Sequence, residues 1–421
     1  MNLSINYFAA KACEHYLKLH PTTQTLPPPK QNKKYLLYVH IPFCHTLCTY
    51  CTFHRFLFDE ERARAYFAAL REEIRLVHAL GYEFDSMYIG GGTTTVILDE
   101  LVRTIELAKE LFELKEVSCE ADPNSLGSEF AAALCGLVDR YSVGVQSFDE
   151  GILRQIGRYE KFGSGAETTK RLVDAVGKFA ILNVDMIFNF PSQSPDMLRR
   201  DIDTLLSVMP DQISYYPLMS SPSAKGIIKR SMGEVSLDNE KRFYYEILGA
   251  LSPKYDMLSS WAFGKKEKNM FDEYVVDHDE YVGVGSGAFS FLDGSLYANS
   301  FSLARYESGV TSGNLSPERT RAYPRRAQMW YRMMVELFGG ILDIRAFNDK
   351  FDTDIEFSMA IEISFLKLRG YVTQADSLLL TTDKGRYAFV SLMKEFYMWM
   401  DYVRESSRAA LEGKERVFSG L

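Results

Sequence analysis

Three cysteines lie within eight residues of one another, in a turn that follows an apolar run. They are Cys44, Cys48 and Cys51, spaced Cys-x3-Cys-x2-Cys after the segment Leu36 to Ile41. Three thiolates this close can converge on one soft metal centre, whereas a cluster that only carries electrons takes four. The position where a fourth cysteine could follow is Phe53. The spacing therefore predicts an iron–sulfur cluster with one iron left open to a ligand.

A zinc knuckle, or a chance cluster of buried thiols, is the alternative interpretation of these cysteines. A structural zinc site needs a fourth ligand at a suitable spacing. His54 is the only candidate near the three cysteines. We therefore favour the open cluster.

Apolar runs of strand length alternate with helical patterns over the next part of the chain. This alternation argues for a parallel sheet built from right-handed βαβ units. Six units are too few for a closed eight-stranded barrel, so we predict an α/β fold with an open, partial (β/α)6 barrel. The predicted strands are 35–41, 86–90, 116–121, 141–146, 182–189 and 212–217, and the predicted helices are 60–80, 98–113, 127–138, 149–157, 165–178 and 195–208.

Polar or small residues stand at or near the ends of the predicted strands. Gly91 and Gly92 follow the second strand, Glu120 and Gln146 end the third and fourth, and Asp185 lies in the fifth. Because active sites of such folds gather at the carboxyl ends of the strands, these residues should face one mouth together with the cysteines. Carboxylates within apolar strands cost free energy unless they are paired or bind a ligand.

For Asp185, the alternative explanation is a core ion pair with Arg158. For Gly91 and Gly92, the alternative is a simple turn between strand and helix. Glycines at this position would also let the backbone approach a ligand closely.

Five motifs occur in a fixed order over about residues 33 to 320: Tyr-Val-His-Ile-Pro-Phe-Cys, Gly-Gly-Gly-Thr, Glu-x-Asp-Pro, Gly-Val-Gln-Ser-Phe and Asp-Met-Ile-x-x-x-Pro. Together they resemble the radical S-adenosylmethionine (radical SAM) superfamily, and within it the branch named for oxygen-independent coproporphyrinogen III oxidase.

The resemblance implies a 4Fe-4S cluster held by the three cysteines and two bound SAM molecules. It also implies an external reductant such as flavodoxin or ferredoxin. Thr93 and the glycine-rich turn around Gly285 and Ala288 would serve the second SAM. The full set of SAM contacts that it implies is Tyr38, Phe53, Gly91, Gly92, Thr93, Glu120, Gln146, Arg158, Asp185, Gly285 and Ala288.

Four segments organise the chain in this interpretation. Residues 1–34 form an N-terminal helix and an extended lead-in, and residues 35–220 form the partial barrel. Residues 221–320 close the active site, with a glycine-rich turn from Tyr281 to Phe289. Residues 321–421 form a mainly helical, winged-helix-like domain that covers the mouth of the barrel and ends in a helix and a charged tail.

Composition excludes some classes of function. The formal charge of −8 argues against non-specific binding to nucleic acid. Cys13, Cys119 and Cys135 are dispersed in apolar or helical contexts, so we expect them to be buried free thiols. The sequence has no signal-peptide pattern and no long apolar segment, which predicts a cytoplasmic protein.

The first functional hypothesis is a radical SAM C-methyltransferase that adds a methyl group to an sp2 carbon, as in the naphthoquinone ring of menaquinone. It rests on resemblance around Cys51 and on an aromatic-rich mouth, and it would bring the protein into transient contact with a membrane. The predicted aromatic residues are Phe53, Phe56, Tyr215, Tyr216, Phe243, Tyr244, Trp261 and Phe263.

Two alternatives concern tetrapyrroles. A porphyrin-acting enzyme, either oxidase-like or methylating, would need cations for the propionates, and Arg55, Lys265 and Lys266 are candidates. A non-enzymatic haem chaperone is the other alternative. It is weakened because Lys268 to Phe271 stand where related chaperones have a His-Asn pair.

Overall fold

A single large sheet organises the protein. The computed structural model describes residues 13–219, 222–266, 278–315, 317–413 and 415. In the described residues the sheet has 13 strands. Predictions that fall on residues 1–12 and 268–271 lie outside the described residues.

The six predicted parallel strands are all present, in the predicted order across the sheet. Their side chains are largely buried, as expected for a parallel sheet whose connecting helices pack against it. The strands are β2 (Tyr35–Ile41), β5 (Phe84–Gly91), β6 (Glu116–Ala121), β7 (Arg140–Gln146), β8 (Ile181–Phe188) and β9 (Gln212–Pro217).

Antiparallel strands extend the sheet at both edges. On one side β12 (Tyr281–Val284) runs parallel to β2, and β13 (Phe289–Leu292), β14 (Ser295–Ala298), β15 (Arg319–Ala322) and β1 (His20–Pro21) follow it in that order. On the other side β11 (Ala262–Lys265) and β10 (Tyr255–Met257) follow β9. No pairing among the described strands joins these two edges, so the sheet is open.

Segment 281–289 was predicted as one glycine-rich turn, which is only partly right. Its first half is strand β12, and the turn is limited to the residues before β13. Gly283 lies inside β12, where a Cβ atom would overlap the carbonyl oxygen of Phe289. A close approach of two backbones explains this glycine better than a flexible loop does.

Helices connect the parallel strands, and local capping sets where they begin. The side chain of Asp59 accepts a hydrogen bond from the backbone N–H of Arg62, and Ser194 caps a helix whose first residue is Pro195. The helices are α1 (Glu60–Ala79), α2 (Leu98–Leu111), α3 (Ser128–Leu134), α4 (Glu150–Gln155), α5 (Tyr159–Phe162), α6 (Gly165–Ala175), α7 (Pro195–Val208), α8 (Pro222–Met232), α9 (Leu237–Leu251) and α10 (Leu303–Thr311), with 3-10 turns at Thr94–Val96 and Pro123–Leu126.

The C-terminal part combines helices with a small antiparallel sheet, in which β18 (Leu378–Thr381) lies between β16 (Ile341–Asp343) and β17 (Val372–Ala375). A long last helix then returns toward the large sheet. The helices of this part are α11 (Arg325–Phe338), α12 (Ile344–Phe351), α13 (Ile355–Ser358), α14 (Ala360–Leu368) and α15 (Asp383–Arg408).

A buried ion pair fastens α15 to the rest of the protein. Lys394 Nζ lies 2.5 Å from Glu240 Oε2 of α9, with 9% and 1% of the two side chains exposed. Tyr387 and Asn189 also donate to this carboxylate. A buried charge pair of this kind holds only while both partners are present.

The predicted α/β class is confirmed, with a mostly parallel sheet and helices. No helix of the described residues is both long and apolar enough to cross a membrane. One expectation on the thiols was wrong. Cys119 is buried and Cys13 half-buried, but Cys135 is exposed because it follows α3 at the surface.

Candidate active site

A cavity of ≈ 950 Å³ lies at the carboxyl ends of the parallel strands and extends beneath the C-terminal helices. The prediction that the strand-end residues share one mouth with the cysteines is confirmed. The predicted residues that line the cavity are Tyr38, Cys44, Cys48, Cys51, Phe53, Gly91, Gly92, Thr93, Glu120, Gln146, Arg158 and Asp185.

A short two-stranded sheet fixes the cysteine loop. Phe43 and Cys44 form β3, which pairs in parallel with β4 at Phe56 and Leu57. The loop returns on itself between the two strands, and the backbone N–H of Cys51 donates to the carbonyl of Cys48 at 3.4 Å. Cys44 and Cys48 are buried and Cys51 is half-buried.

The donor set fits a cluster better than a single ion. In the described part of the chain no three His, Cys, Asp or Glu side chains are arranged around one metal position. A cluster does not need such convergence, since each thiolate binds a different iron. Burial raises the pKa of the Cys44 thiol to about 11, so a thiolate at this position needs positive charge beside it.

Arg158 places a positive charge beside Cys48, the next thiol of the loop. It is 6% exposed, and its Nη1 lies 3.9 Å from the Sγ of Cys48 and 3.5 Å from the hydroxyl of Tyr50. The other terminal nitrogen donates to the carbonyl of Gly144, and Nε has no hydrogen-bond partner. The proposed core ion pair with Asp185 is therefore not formed. Arg158 is instead a buried cation between the cysteine loop and β7.

Glu120 closes the cavity at the glycine motif. Its carboxylate accepts hydrogen bonds from the backbone N–H of Gly91 at 3.0 Å and from the hydroxyl of Tyr88 at 2.9 Å. Burial raises its pKa to about 7, and the hydrogen bond from Gly91 opposes that rise. At Gly92 a Cβ atom would lie 2.5 Å from the carbonyl oxygen of Phe43, so a side chain at this position would push the motif away from β3.

Asp185 is the second buried carboxylate of the cavity. It accepts hydrogen bonds from Ser142 Oγ at 2.7 Å and Asn183 Nδ2 at 2.8 Å. Burial raises its pKa, and the nearby guanidinium of Arg140 lowers the pKa values of both Asp185 and Glu120. Arg140 lines the same cavity, although the sequence did not identify it. Two carboxylates of this kind are suited to a cationic ligand such as the sulfonium of SAM.

Gln146 is held in an unusual backbone conformation at the end of β7. Its φ is +76°, and the register of β7 against β8 shifts between Gly144 and Gln146. Because of this shift, the side-chain amide of Gln146 folds back over Gly144. A Cβ atom at Gly144 would lie only 2.9 Å from Gln146 Nε2. Non-glycine residues with positive φ cost free energy and often mark functional sites.

Two predicted SAM contacts do not line the cavity. Gly285 and Ala288 are packed behind β2, and the backbone N–H of Gly285 donates to Glu73 of α1 at 2.6 Å. A Cβ atom at Gly285 would lie 2.5 Å from the hydroxyl of Tyr66 and 2.6 Å from the carbonyl of His40. This glycine is therefore required for packing between β12 and α1.

Helix α15 contributes charged residues that the sequence analysis missed. Asp401 is 3% exposed, and its carboxylate lies 2.6 Å from Arg404 Nη1. The guanidinium of Arg404 lies 5.1 Å from the centre of the Phe53 ring, and Arg408 donates to the Phe53 carbonyl at 3.3 Å. The sequence contained a pattern that could have identified them, because Asp401 and Arg404 are three residues apart on the otherwise apolar side of a predicted helix.

Most of the aromatic residues that were predicted to line the mouth of the barrel belong to the hydrophobic core instead. Phe53, Tyr216 and Trp261 line the cavity, whereas Phe56, Tyr215, Phe243, Tyr244 and Phe263 are buried elsewhere. The long apolar wall comes from β13–β14 and from the C-terminal helices. Its main members are Phe289, Phe291, Leu296, Tyr323, Tyr331, Met333, Met334, Phe389, Leu392, Phe396, Tyr397 and Met400.

The cationic side chains that could bind a carboxylate of a substrate also differ from those that were predicted. Arg55 lines the cavity, donates to the carbonyl of Cys51 at 2.7 Å and leaves its buried Nε without a partner. Lys265 and Lys266 do not line it. Arg55 and Arg404 therefore form the cationic side of the cavity next to Phe53.

The donor set and the buried charges of the cavity fit a cluster and SAM. The three thiols of the cysteine loop stand at one end, a buried cation lies beside them, and two carboxylates with raised pKa values face the adjoining space. A volume of ≈ 950 Å³ is at the upper end of the range for ligand pockets, which leaves room for a further ligand.

Comparisons with known proteins cover most of the chain. Residues 38–205 match the sequence profile of the Radical SAM superfamily. The heme chaperone HemW of Lactococcus lactis is 27% identical over 366 residues, covering 83% of this chain and 93% of that protein. The oxygen-independent coproporphyrinogen III oxidase of Paracoccus denitrificans is 28% identical over 340 residues, covering 74% of each. The structure of coproporphyrinogen III oxidase (HemN) from Escherichia coli has a TM-score of 0.72 at 22% identity, covering 88% of this chain and 91% of that one.

Proposed function

We propose a function from the premise that residues 38–205 form a radical SAM domain and that the homologues of the chain are coproporphyrinogen III oxidase-like (HemN-like) proteins. The superfamily implies a 4Fe-4S cluster and SAM, which together supply one-electron, hydrogen-abstracting chemistry. We propose that this chain uses that chemistry to methylate an sp2 carbon of a large apolar ring, with the naphthoquinone of menaquinone as substrate and a second SAM as methyl donor.

The distribution of charge in the cavity carries this proposal. Arg55, Arg158 and Arg404 contact the cysteine loop or lie over its aromatic residue. Beyond them the wall is mostly aromatic and aliphatic, and two carboxylates among its described residues, Glu362 and Asp401, are paired with Arg326 at 2.5 Å and with Arg404 at 2.6 Å. An apolar wall of this length suits a hydrophobic ring with an isoprenoid tail better than a substrate with several carboxylates.

Each group of residues has its own task in the proposed reaction. The three cysteines bind the cluster, while Glu120 and Asp185 hold the cationic end of SAM. The apolar wall orients the ring and excludes water from the reacting carbon. We place the reaction in the reducing cytoplasm, because the cysteines bind a cluster only while they are not oxidised. An external electron donor would reduce the cluster.

Anaerobic turnover of the reconstituted, reduced enzyme with methyl-deuterated SAM tests this proposal. A menaquinone-containing lipid extract is the acceptor, and mass spectrometry follows deoxyadenosine and the quinones. Deuterium in deoxyadenosine together with a heavier quinone is the expected result. Unlabelled deoxyadenosine and unchanged quinones would overturn the proposal.

A pair of isosteric substitutions links the activity to the apolar wall. Met334 lines the cavity and Met257 does not, although both are half-buried. We expect Met334→Gln to raise KM for the quinone several-fold while SAM cleavage without substrate is unchanged. Met257→Gln should behave like the parent enzyme. Equal effects of the two changes would refute a role of this wall in substrate binding.

A tetrapyrrole is the second candidate substrate, favoured by the relatives and by the cations beside Phe53. HemW is described as a heme chaperone and the oxidases act on coproporphyrinogen III. Arg55 and Arg404 could meet one propionate. Turnover of coproporphyrinogen or haem in the same assay, with the quinones unchanged, would favour this candidate.

The non-enzymatic haem chaperone finds little support in the histidines of the described residues. Only His40 lines the cavity. Both of its ring nitrogens are engaged, with the hydroxyl of Tyr38 and the carbonyl of His54, each at 2.9 Å. Burial lowers its pKa to about 4. Haem binding with a stable absorption band, in the absence of SAM cleavage, would restore the chaperone hypothesis.

A further inference from the structure

Large apolar side chains of helices α13 and α14 project into solvent. Phe357 and Leu368 are each 87% exposed, Ile361 is 80% exposed and Phe365 is 43% exposed. Trp330 of α11 is 47% exposed. Together these five residues, which we call the apolar rim, present roughly 600 Å² of apolar surface. That is at the upper end of what single proteins expose without a partner.

Helix α14 is apolar on two sides. Ile363 and Leu366 face the core, whereas Ile361, Phe365 and Leu368 recur four and three residues apart on the outer side. A helix at the surface of a protein in water normally has a polar outer face. The outer side of α14 is therefore suited to an apolar environment.

The apolar rim borders the cavity. Trp330, Ile361 and Phe365 line the cavity and are exposed at the same time. A ligand that enters from this side passes along them before it reaches the apolar wall. The rim and the wall thus line one cavity that extends from the surface to the cysteine loop.

Cations stand at one end of the rim. The guanidinium of Arg369 lies 5.9 Å from the centre of the Phe365 ring, and Lys384 Nζ donates to the Arg369 carbonyl at 2.7 Å. Lys367 precedes Leu368 and is exposed. The exposed carboxylate of Glu356 lies 4.0 Å from Lys367 Nζ, and such a surface pair is weak enough to leave the ammonium group accessible to another anion. Side chains of this kind reach anionic headgroups while their neighbours insert into the acyl region.

We propose that the apolar rim docks this protein onto the surface of an anionic phospholipid bilayer, with the cavity opening toward the lipid. Side chains that are 80% to 87% exposed stand well out from the protein surface, and a fluid interface accommodates such protrusions more easily than a complementary protein surface does. The docking does not depend on whether the substrate is a quinone or a tetrapyrrole. It gives either apolar ring a route that avoids water.

Vesicle flotation of the full-length, cluster-loaded protein tests the proposal. Vesicles of phosphatidylglycerol and phosphatidylcholine should carry the protein upward, and their binding should blue-shift the fluorescence of Trp330. We expect the double change Phe357→Ser with Leu368→Ser to weaken partition at least tenfold. The matched control is Val173→Ser with Leu237→Ser, whose parent side chains are 54% and 44% exposed on other surfaces.

The remaining outcomes also decide the question. Replacing Lys367 and Lys384 with Glu should weaken binding to the anionic vesicles more than binding to pure phosphatidylcholine. Equal flotation of the rim variant and the control variant would overturn the proposal. So would a soluble dimer that the rim variant converts to monomer while no vesicle binding occurs, because the rim would then be an interface between two copies.

Discussion

The charge state of Glu120 should control how tightly SAM binds. With a pKa of about 7, roughly one tenth of this carboxylate is ionised at pH 6 and nine tenths at pH 8. A cationic ligand beside it favours the ionised form, so binding releases a proton below pH 7. The affinity for SAM should therefore rise with pH, by at most tenfold, or about 1.4 kcal/mol, between pH 6 and pH 8.

Glu120→Gln keeps the shape of the side chain and removes the titration. The amide oxygen can still accept from Gly91, but the interaction with the ligand charge is lost, which costs about 1.5 to 3 kcal/mol. At pH 8 the variant should thus bind SAM roughly 10 to 150 times more weakly. Its affinity should also vary less with pH than that of the parent. Equilibrium dialysis with the oxidised, cluster-loaded protein measures both effects without turnover.

Glu73→Gln is the matched control for this experiment. Burial also raises the pKa of Glu73 to about 7, but this residue does not line the cavity. A carboxyl whose pKa is raised by folding stabilises the protein below its unfolded pKa, and that contribution is lost as pH rises through about 7. Glu73→Gln should therefore lessen the fall in Tm from pH 5.5 to 8 and leave the pH dependence of SAM affinity intact. The same pH dependence in the parent and in Glu120→Gln would refute the assignment of Glu120.

Three further predictions concern the cluster, the glycine motif and the C-terminal helix. Cys48→Ala should abolish both the visible absorbance of the cluster and SAM cleavage, whereas Cys135→Ala at the exposed thiol should change neither, and retained cleavage in the first variant would overturn the cysteine assignment. Gly92→Ala should prevent cluster loading, because its Cβ would lie 2.5 Å from a backbone oxygen of β3, whereas Gly249→Ala, where nothing lies within 4 Å, should load normally. Lys394→Met removes the cationic partner of the buried Glu240 carboxylate of α9 and should cost about 3 to 5 kcal/mol, or roughly 3 to 6 °C in Tm for a chain of this length. An unchanged Tm would show that this ion pair does not hold α15 in place.

The sequence predicted the parts of the fold that depend on local pattern. Each parallel strand is a short apolar run followed by a helical period, and both are readable within one window of sequence. The site followed from the same pattern, since Glu120 and Asp185 could be placed at strand ends without any knowledge of their partners. The position of Gln146 at the end of its strand was predicted in the same way, and the family resemblance then added Arg158 as a contact of SAM.

The features of the fold and of the site that the sequence did not predict depend on contacts between distant parts of the chain. Strand β12 joins β2 although nearly 240 residues separate them, and its glycines look like a turn in isolation. The apolar wall was misassigned for the same reason, because Phe243 and Phe396 are equally aromatic and only the packing of α15 decides which one faces the cavity. Cys135 is exposed because α3 ends at the surface, which helical periodicity alone does not show.

The contact between Arg408 and the Phe53 carbonyl joins residues that are 355 positions apart. At a synthesis rate of about 5 to 20 residues per second, the cysteine loop leaves the ribosome about 20 to 70 s before α15 is complete. During that interval one face of the loop is uncovered, and a cluster can be delivered to it from outside. Once α15 has docked, the same delivery has to pass through the cavity. The order of the chain thus gives cofactor assembly a period of access that ends when the protein finishes folding.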